Sequence, residues 1–152
     1  MPNDPSHADR RLYPVRPIVG VGVIVWRGAE VLLIKRARPP RAGQWSLPGG
    51  AQTLGETIDD AARREVAEET GLTIGPTRLV TCVDLIDRDD AGAVRYHYTL
   101  VDLTADAGEG PPRPGDDAAD ARFFPPEALP GLGMWPLTLE VIEQARRMRD
   151  RA

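Results

Sequence analysis

From Ile18 to Trp26 the chain is apolar and β-branched, and Val19, Val21, Val23 and Val25 fall on one face of a period-two strand. Arg27-Gly28-Ala29-Glu30 carries turn residues and Val31 to Lys35 is apolar again, so the pattern predicts a hairpin. Pro39, Pro40 and Gly43 then predict a loop, ending in Gln44-Trp45-Ser46-Leu47-Pro48-Gly49-Gly50, where paired glycines let the backbone approach a neighbour closely. Residues 57 to 70 predict a helix: Thr57 with Asp60 forms a capping pair, Ala, Arg and Glu fill the interior, and Gly71 stands where a left-handed residue ends it. Arg78 to Asp87 and Val94 to Thr104 follow as strands around a turn at Asp89 to Gly92. Residues 105 to 120, with five carboxylates, several Gly and Pro and one Arg, predict a surface loop of the length that usually carries function or stays disordered. Ala121 to Phe124 closes as a short strand, and Leu137, Val141, Ile142, Ala145 and Met148 mark a final amphipathic helix. Residues 1 to 16 lack periodicity, which suits a flexible segment, and 17 to 150 carry the pattern of a single domain.

The helix at 57 to 70 breaks its own pattern. At 100° per residue, Ile58, Ala61, Ala62 and Val66 form an apolar stripe, with Asp59, Asp60, Arg63, Ala67 and Thr70 opposite. Glu65 and Glu69 nevertheless fall in the middle of that stripe, and Glu68 lies at its edge. Carboxylates at i, i+3 and i+4 repel one another, and partial burial makes their ionised forms much more costly. A hard divalent cation resolves the conflict through oxygen ligands. The competing explanation is a solvated acidic face, laced by a pair such as Arg64 with Glu68.

Composition narrows the partners. The 152 residues suit one globular domain, and 19 basic against 23 acidic side chains give a net charge of −4, which lacks the positive field a long nucleic acid needs. The chain shows neither a leader-like segment nor an apolar run long enough for a membrane span, and the expected location is the cytoplasm. A lone Cys82 within an apolar stretch excludes an internal disulfide and is expected to fill core.

From Gly50, five residues lead to Glu56, and seven more to Arg64-Glu65-Val66-Ala67-Glu68-Glu69-Thr70-Gly71-Leu72. This resembles the complete signature of the Nudix hydrolases, and the approach through Gln44 to Gly50 is similar to the family as well. The resemblance implies an α+β fold, an α/β/α sandwich with a mixed sheet between helices. It implies a metal-dependent hydrolase that cleaves the diphosphate linkage of a nucleoside diphosphate derivative. By the same resemblance, Glu65, Glu68 and Glu69 bind Mg²⁺ or Mn²⁺ with the Gly49 carbonyl as a further ligand, while Arg64 and Glu56 hold the glutamates in orientation.

The general base is open between Glu69 and an acid of the late loop, where Asp116, Asp117 and Asp120 stand. Arg36, with Arg38 and Arg41 nearby, is placed to meet phosphate, and Trp45 is an aromatic candidate for stacking beside Tyr96, Tyr98, Phe123 and Phe124. His97 is expected to be a strand residue. The small-molecule substrate suggested is ADP-ribose or a similar nucleotide derivative. One departure weakens that choice: the proline that ADP-ribose hydrolases often carry about 16 residues past the motif is replaced by Asp87-Arg88-Asp89. The alternatives are a (d)NTP pyrophosphohydrolase and a non-catalytic nucleotide sensor, and the assemblies left open include a homodimer.

Overall fold

The computed structural model describes residues 10–38, 41–115 and 117–151. Strand β1 (Ile18–Arg27) is the axis of the molecule. It runs parallel to β6 (Val94–Asp106) along its whole length, from Ile18 beside Tyr98 to Trp26 beside Asp106, and β6 pairs antiparallel with β5 (Arg78–Arg88) at one end of the sheet. Because β1 is covered on both faces, its sequence is almost continuously apolar rather than alternating. Val21, Val23 and Val25 pack with Ala61, Ala62 and Val66 of helix α1 (Ile58–Thr70). Ile24 and Trp26, with Leu33, pack with Val141, Ile142 and Ala145 of helix α2 (Pro136–Asp150). A mixed sheet thus lies between helices, in keeping with the predicted α+β sandwich.

The other edge of β1 is divided, and this division positions the candidate site residues. Strand β2 (Glu30–Arg36) pairs with β1 only at Trp26–Val31 and Arg27–Glu30, next to a turn where Gly28 takes a φ of 60°. Further along, Ile34 and Lys35 pair with β3 (Trp45–Ser46), while β7 (Ala118–Phe124) pairs with β2 from Val31 to Arg36. The vacated first half of β1 is taken by β4 (Gly49–Ala51), through Gly20–Ala51, Val21–Gly50 and Gly22–Gly49. A Cβ on Gly49 would lie 2.1 Å from the Val21 carbonyl oxygen, so only glycine fits this approach.

Several expectations change. Segments 45–46 and 49–51 are short strands inside the predicted loop; they are too brief and too glycine-rich for a periodic signal. β6 and β7 extend further than expected, so the late loop shrinks to residues 107–117 and Asp120 belongs to a strand. Cys82 is exposed, not core: it lies on β5, the last strand at that end of the sheet. Thr70, placed opposite the apolar stripe by the helical wheel, is fully buried. Its hydroxyl donates to the Val66 carbonyl at 2.7 Å and accepts from the Leu72 N–H at 3.3 Å, which satisfies both groups inside the fold. The backbone N–H of Tyr13 donates to Arg95 O at 2.8 Å and its hydroxyl to Asp89 at 2.7 Å, anchoring the early segment to the β5–β6 turn. Residues 1–9, the rest of that segment, lie outside the described residues.

Candidate functional site

Helix α1 begins where predicted: the Thr57 side chain accepts from the Asp60 N–H at 3.0 Å. It ends at Gly71, whose φ of 72° turns its N–H back to Ala67 O at 2.9 Å. Between these caps Glu65 and Glu69 project toward β4, while Glu68 is more exposed.

Arg64 organises the first layer. Its Nε and Nη2 donate to the two oxygens of Glu56 at 2.6 and 2.9 Å, a bidentate pair. Nη2 also reaches Ala51 O at 3.1 Å, and Nη1 donates to Glu65 at 2.8 Å and to Glu68 at 3.2 Å. One guanidinium therefore links the Gly-loop, the segment before the helix and two of the three helix carboxylates. The Arg64 contact, followed by the Thr53 N–H, holds the Glu56 carboxyl down at about 2.

Glu65 lies with its side chain only 12% exposed against the Cα of Gly50, where an added Cβ would come 2.4 Å from Oε1. The second glycine of the pair thus makes room for a carboxylate. Glu69 reaches deepest, and its Oε2 accepts the Gly49 N–H at 3.1 Å. Burial pushes its pKa up to about 8; the Gly49 hydrogen bond opposes this, Glu65 and Asp117 add to it by repulsion, and Arg36 counteracts them. A buried carboxyl among other acids is a place short of positive charge.

Glu65, Glu68, Glu69, Arg64, Glu56 and Gly49 are therefore brought together, and Arg36, at the end of β2, acts on Glu69 from the adjacent strand. Asp117 acts on the same carboxyl while pairing with Arg38 at 3.4 Å. Asp120 is engaged elsewhere: it accepts from the Ala121 N–H at 2.8 Å and pairs with Arg122 at 2.8 Å. Asp116 lies outside the described residues. Trp45 is partly buried: it packs edge-on against Phe124, with ring centroids 4.8 Å apart, and lies against the core on the α2 side. Arg41 stands over the Trp135 ring at 6.0 Å.

Among the described residues no three Asp, Glu, His or Cys side chains form a ready-made cation cage. The hydrogen bonds give the reason, since Arg64 draws Glu65 and Glu68 while Gly49 draws Glu69. The donor set nevertheless fits a hard cation, because all three groups are carboxylates on one strip of helix and the innermost one is electrostatically unsatisfied.

The sequence pattern missed the backbone of the late loop. The Arg113 N–H donates to Thr70 O at 2.8 Å and the Gly115 N–H to Glu69 O at 3.0 Å, closing the end of the glutamate helix. The Pro-Pro-Arg-Pro-Gly run at 111–115 was the available signal of a stiff segment.

Comparison with known proteins agrees with this geometry. The model of the NUDIX domain matches residues 16–145. An ADP-ribose pyrophosphatase of Methanocaldococcus jannaschii is 38% identical over 122 residues, covering 80% of this chain and 69% of that protein. An oxidized purine nucleoside triphosphate hydrolase of Danio rerio is 32% identical over 113 residues, covering 74% and 69%. The crystal structure of a MutT NUDIX hydrolase from Burkholderia pseudomallei superimposes with a TM-score of 0.73 at 34% identity, over 85% of this chain and 98% of that one. With its glutamate helix set over a glycine strand in the divided sheet, the chain belongs to the Nudix hydrolase family.

Proposed function

We propose that this hydrolase cleaves the diphosphate of a nucleoside diphosphate joined to a second moiety, with ADP-ribose the leading substrate and Mg²⁺ or Mn²⁺ as cofactor. The cation is held by Glu65, Glu68, Glu69 and the Gly49 carbonyl. The observation that carries this reading is the set of glutamates on one helix over the glycine pair, with Glu65 against Gly50 and the Glu69 carboxyl, pushed up to about 8 by burial, accepting the Gly49 N–H at 3.1 Å. When bound, the ion supplies charge neutralisation and a water of lowered pKa. Arg64 and Glu56 keep the helix carboxylates in register with the glycine strand. Arg36 faces the anionic substrate, and its charge opposes the repulsion that a diphosphate meets among glutamates.

Water adds across one P–O–P linkage: its oxygen joins one phosphorus and the bridging oxygen leaves on the other. The proton is taken by Glu69 or by Asp117, whose charge acts on Glu69; Asp120 accepts from the Ala121 N–H and pairs with Arg122. The relative from Methanocaldococcus jannaschii supports ADP-ribose, and the one from Danio rerio supports a nucleoside triphosphate as the second reading.

The test is turnover of ADP-ribose, nucleotide sugars, dinucleoside polyphosphates and (d)NTPs with Mg²⁺, with Mn²⁺ and with excess chelator. ADP-ribose is expected to give AMP and ribose 5-phosphate only when metal is present, with oxygen from labelled water on phosphorus. Full turnover in chelator would falsify the metal role. Preference for a triphosphate, releasing pyrophosphate, would move the assignment to the second reading.

A further inference from the structure

We infer that the segment Arg113–Gly115 is a clasp that positions Glu68 and Glu69 for the cation, with Gly115 as its positioning residue; this rests on the metal assignment proposed above. The two carboxylates occupy the last turn of α1, where carbonyl oxygens concentrate negative charge and none of the turn's own residues is basic. That turn is a poor place for acids unless something fixes it. Gly71 closes only Ala67 O, and the next donors come from a different part of the chain: Gly115 N–H to Glu69 O at 3.0 Å and Arg113 N–H to Thr70 O at 2.8 Å.

Gly115 approaches so closely that an added Cβ would lie 1.8 Å from Glu68 O and 2.9 Å from Glu68 C. Nothing but backbone is met there, so a side chain must displace either the loop or the helix turn. The same few residues are fastened at their other end to β2. Ala118 N–H donates to Gly115 O at 3.2 Å, Ala37 N–H to Asp117 O at 3.2 Å, and Ala118 pairs with Arg36 in the sheet. The clasp therefore fixes the end of the glutamate helix relative to the strand end that carries Arg36. Pro112 and Pro114 flank Arg113, restricting the backbone before binding and lowering the entropy lost in holding it.

Coupling of this kind is reciprocal: a clasp that favours the metal-binding arrangement must itself be tightened by metal. Amide hydrogen exchange on the unmodified protein measures this directly. The Arg113 and Gly115 amides are expected to slow at least tenfold on saturation with Mg²⁺, while the Gly92 amide, bonded to Asp89 O in the distant hairpin turn, stays unchanged.

The second arm compares Gly115→Ala with Gly110→Ala. Gly110 belongs to the same loop and has a φ of 103°, so alanine strains it, but its Cβ would meet nothing within 4 Å. Gly115→Ala is expected to weaken Mn²⁺ binding, followed by electron paramagnetic resonance, at least tenfold and to lower kcat at saturating metal with little change in KM. Gly110→Ala is expected to lower Tm yet keep the Mn²⁺ Kd within twofold. Unchanged exchange at Arg113 and Gly115 with metal bound overturns the clasp alone, as does equal weakening in both variants. Failure of the unmodified protein to bind either metal overturns the metal assignment and the clasp with it.

Discussion

The Gly49 N–H donates to the Glu69 carboxylate at 3.1 Å, joining the strand that fills the divided sheet to the deepest acid of the helix. That single hydrogen bond opposes a larger effect of burial, which leaves the Glu69 pKa near 8.

The first prediction follows from that balance. A carboxyl raised in the folded state contributes stability that is complete below its unfolded pKa and is lost as pH rises through the folded one. For Glu69 the window runs from 4.5 to about 8. Asp102, buried on β6 and raised by desolvation from 3.8 to about 6, acts with the same sign over a lower range. The metal-free protein should therefore lose stability between pH 5 and 8, with Glu69 contributing up to roughly 4 kcal/mol. Asp102→Asn should make the slope shallower below about pH 6, where both carboxyls titrate, and leave it unchanged above. Denaturant midpoints in chelator that stay flat over this range would contradict the burial of Glu69.

The same proton links metal binding to pH. If the cation binds the ionised Glu69, binding at pH 7 must release close to one proton, and affinity should rise about tenfold per pH unit until pH 8. Calorimetry in buffers of different ionisation enthalpy gives the proton count directly. Zero protons released would place the cation away from Glu69.

Gly50→Ala tests the fit of Glu65. The new Cβ would fall 2.4 Å from Oε1 and 2.6 Å from the carboxyl carbon, so the flexible end of Glu65 has to move while the helix can stay. Displacement of about 1 Å in a reacting constellation costs on the order of a hundredfold in rate. We expect that loss of kcat with the far-ultraviolet circular dichroism unchanged. A variant with undiminished kcat would show that the placement of Glu65 is unimportant.

How much of this was legible in the sequence depends on the range of the interactions. The helix, its Thr57 and Gly71 caps and the buried face that Glu65 and Glu69 interrupt are local, and a 3.6-residue period exposes them. The division of the sheet was hidden, because β4 is three residues long and pairs with β1 across the loop and β2. Thr70 was misplaced for a related reason. A wheel places side chains on one helix but cannot include the late loop, which crosses the helix end through Arg113 and Gly115. Cys82 was assigned to the core by its apolar neighbours, whereas its exposure depends on β5 being an edge strand. Such placements follow from tertiary neighbours that a single sequence does not display.

The last prediction separates Glu68 from Glu69, neighbours in sequence that differ in burial. Glu68 has a side chain 58% exposed and rests on Arg64 at 3.2 Å, whereas Glu69 is largely buried and bonded to Gly49. Glu→Gln keeps size and helix preference and removes the charge. If both bind the cation, both substitutions should reduce turnover by roughly a hundredfold or more. Their stabilities should diverge in chelator at pH 9. Glu69→Gln removes a desolvated charge while the amide oxygen still accepts from Gly49, so the metal-free protein should gain of the order of a few kcal/mol. Glu68→Gln only trades weak repulsion against a weak exposed ion pair, and its change should stay within about 0.5 kcal/mol. At pH 5, where Glu69 carries its proton in the folded protein, the gain from Glu69→Gln should vanish. Melts at the two pH values and rates in excess Mg²⁺ check all of this on the same two proteins. Near-normal turnover in both would remove the helix from the chemistry, and an equal stability change in both would contradict the burial that distinguishes them.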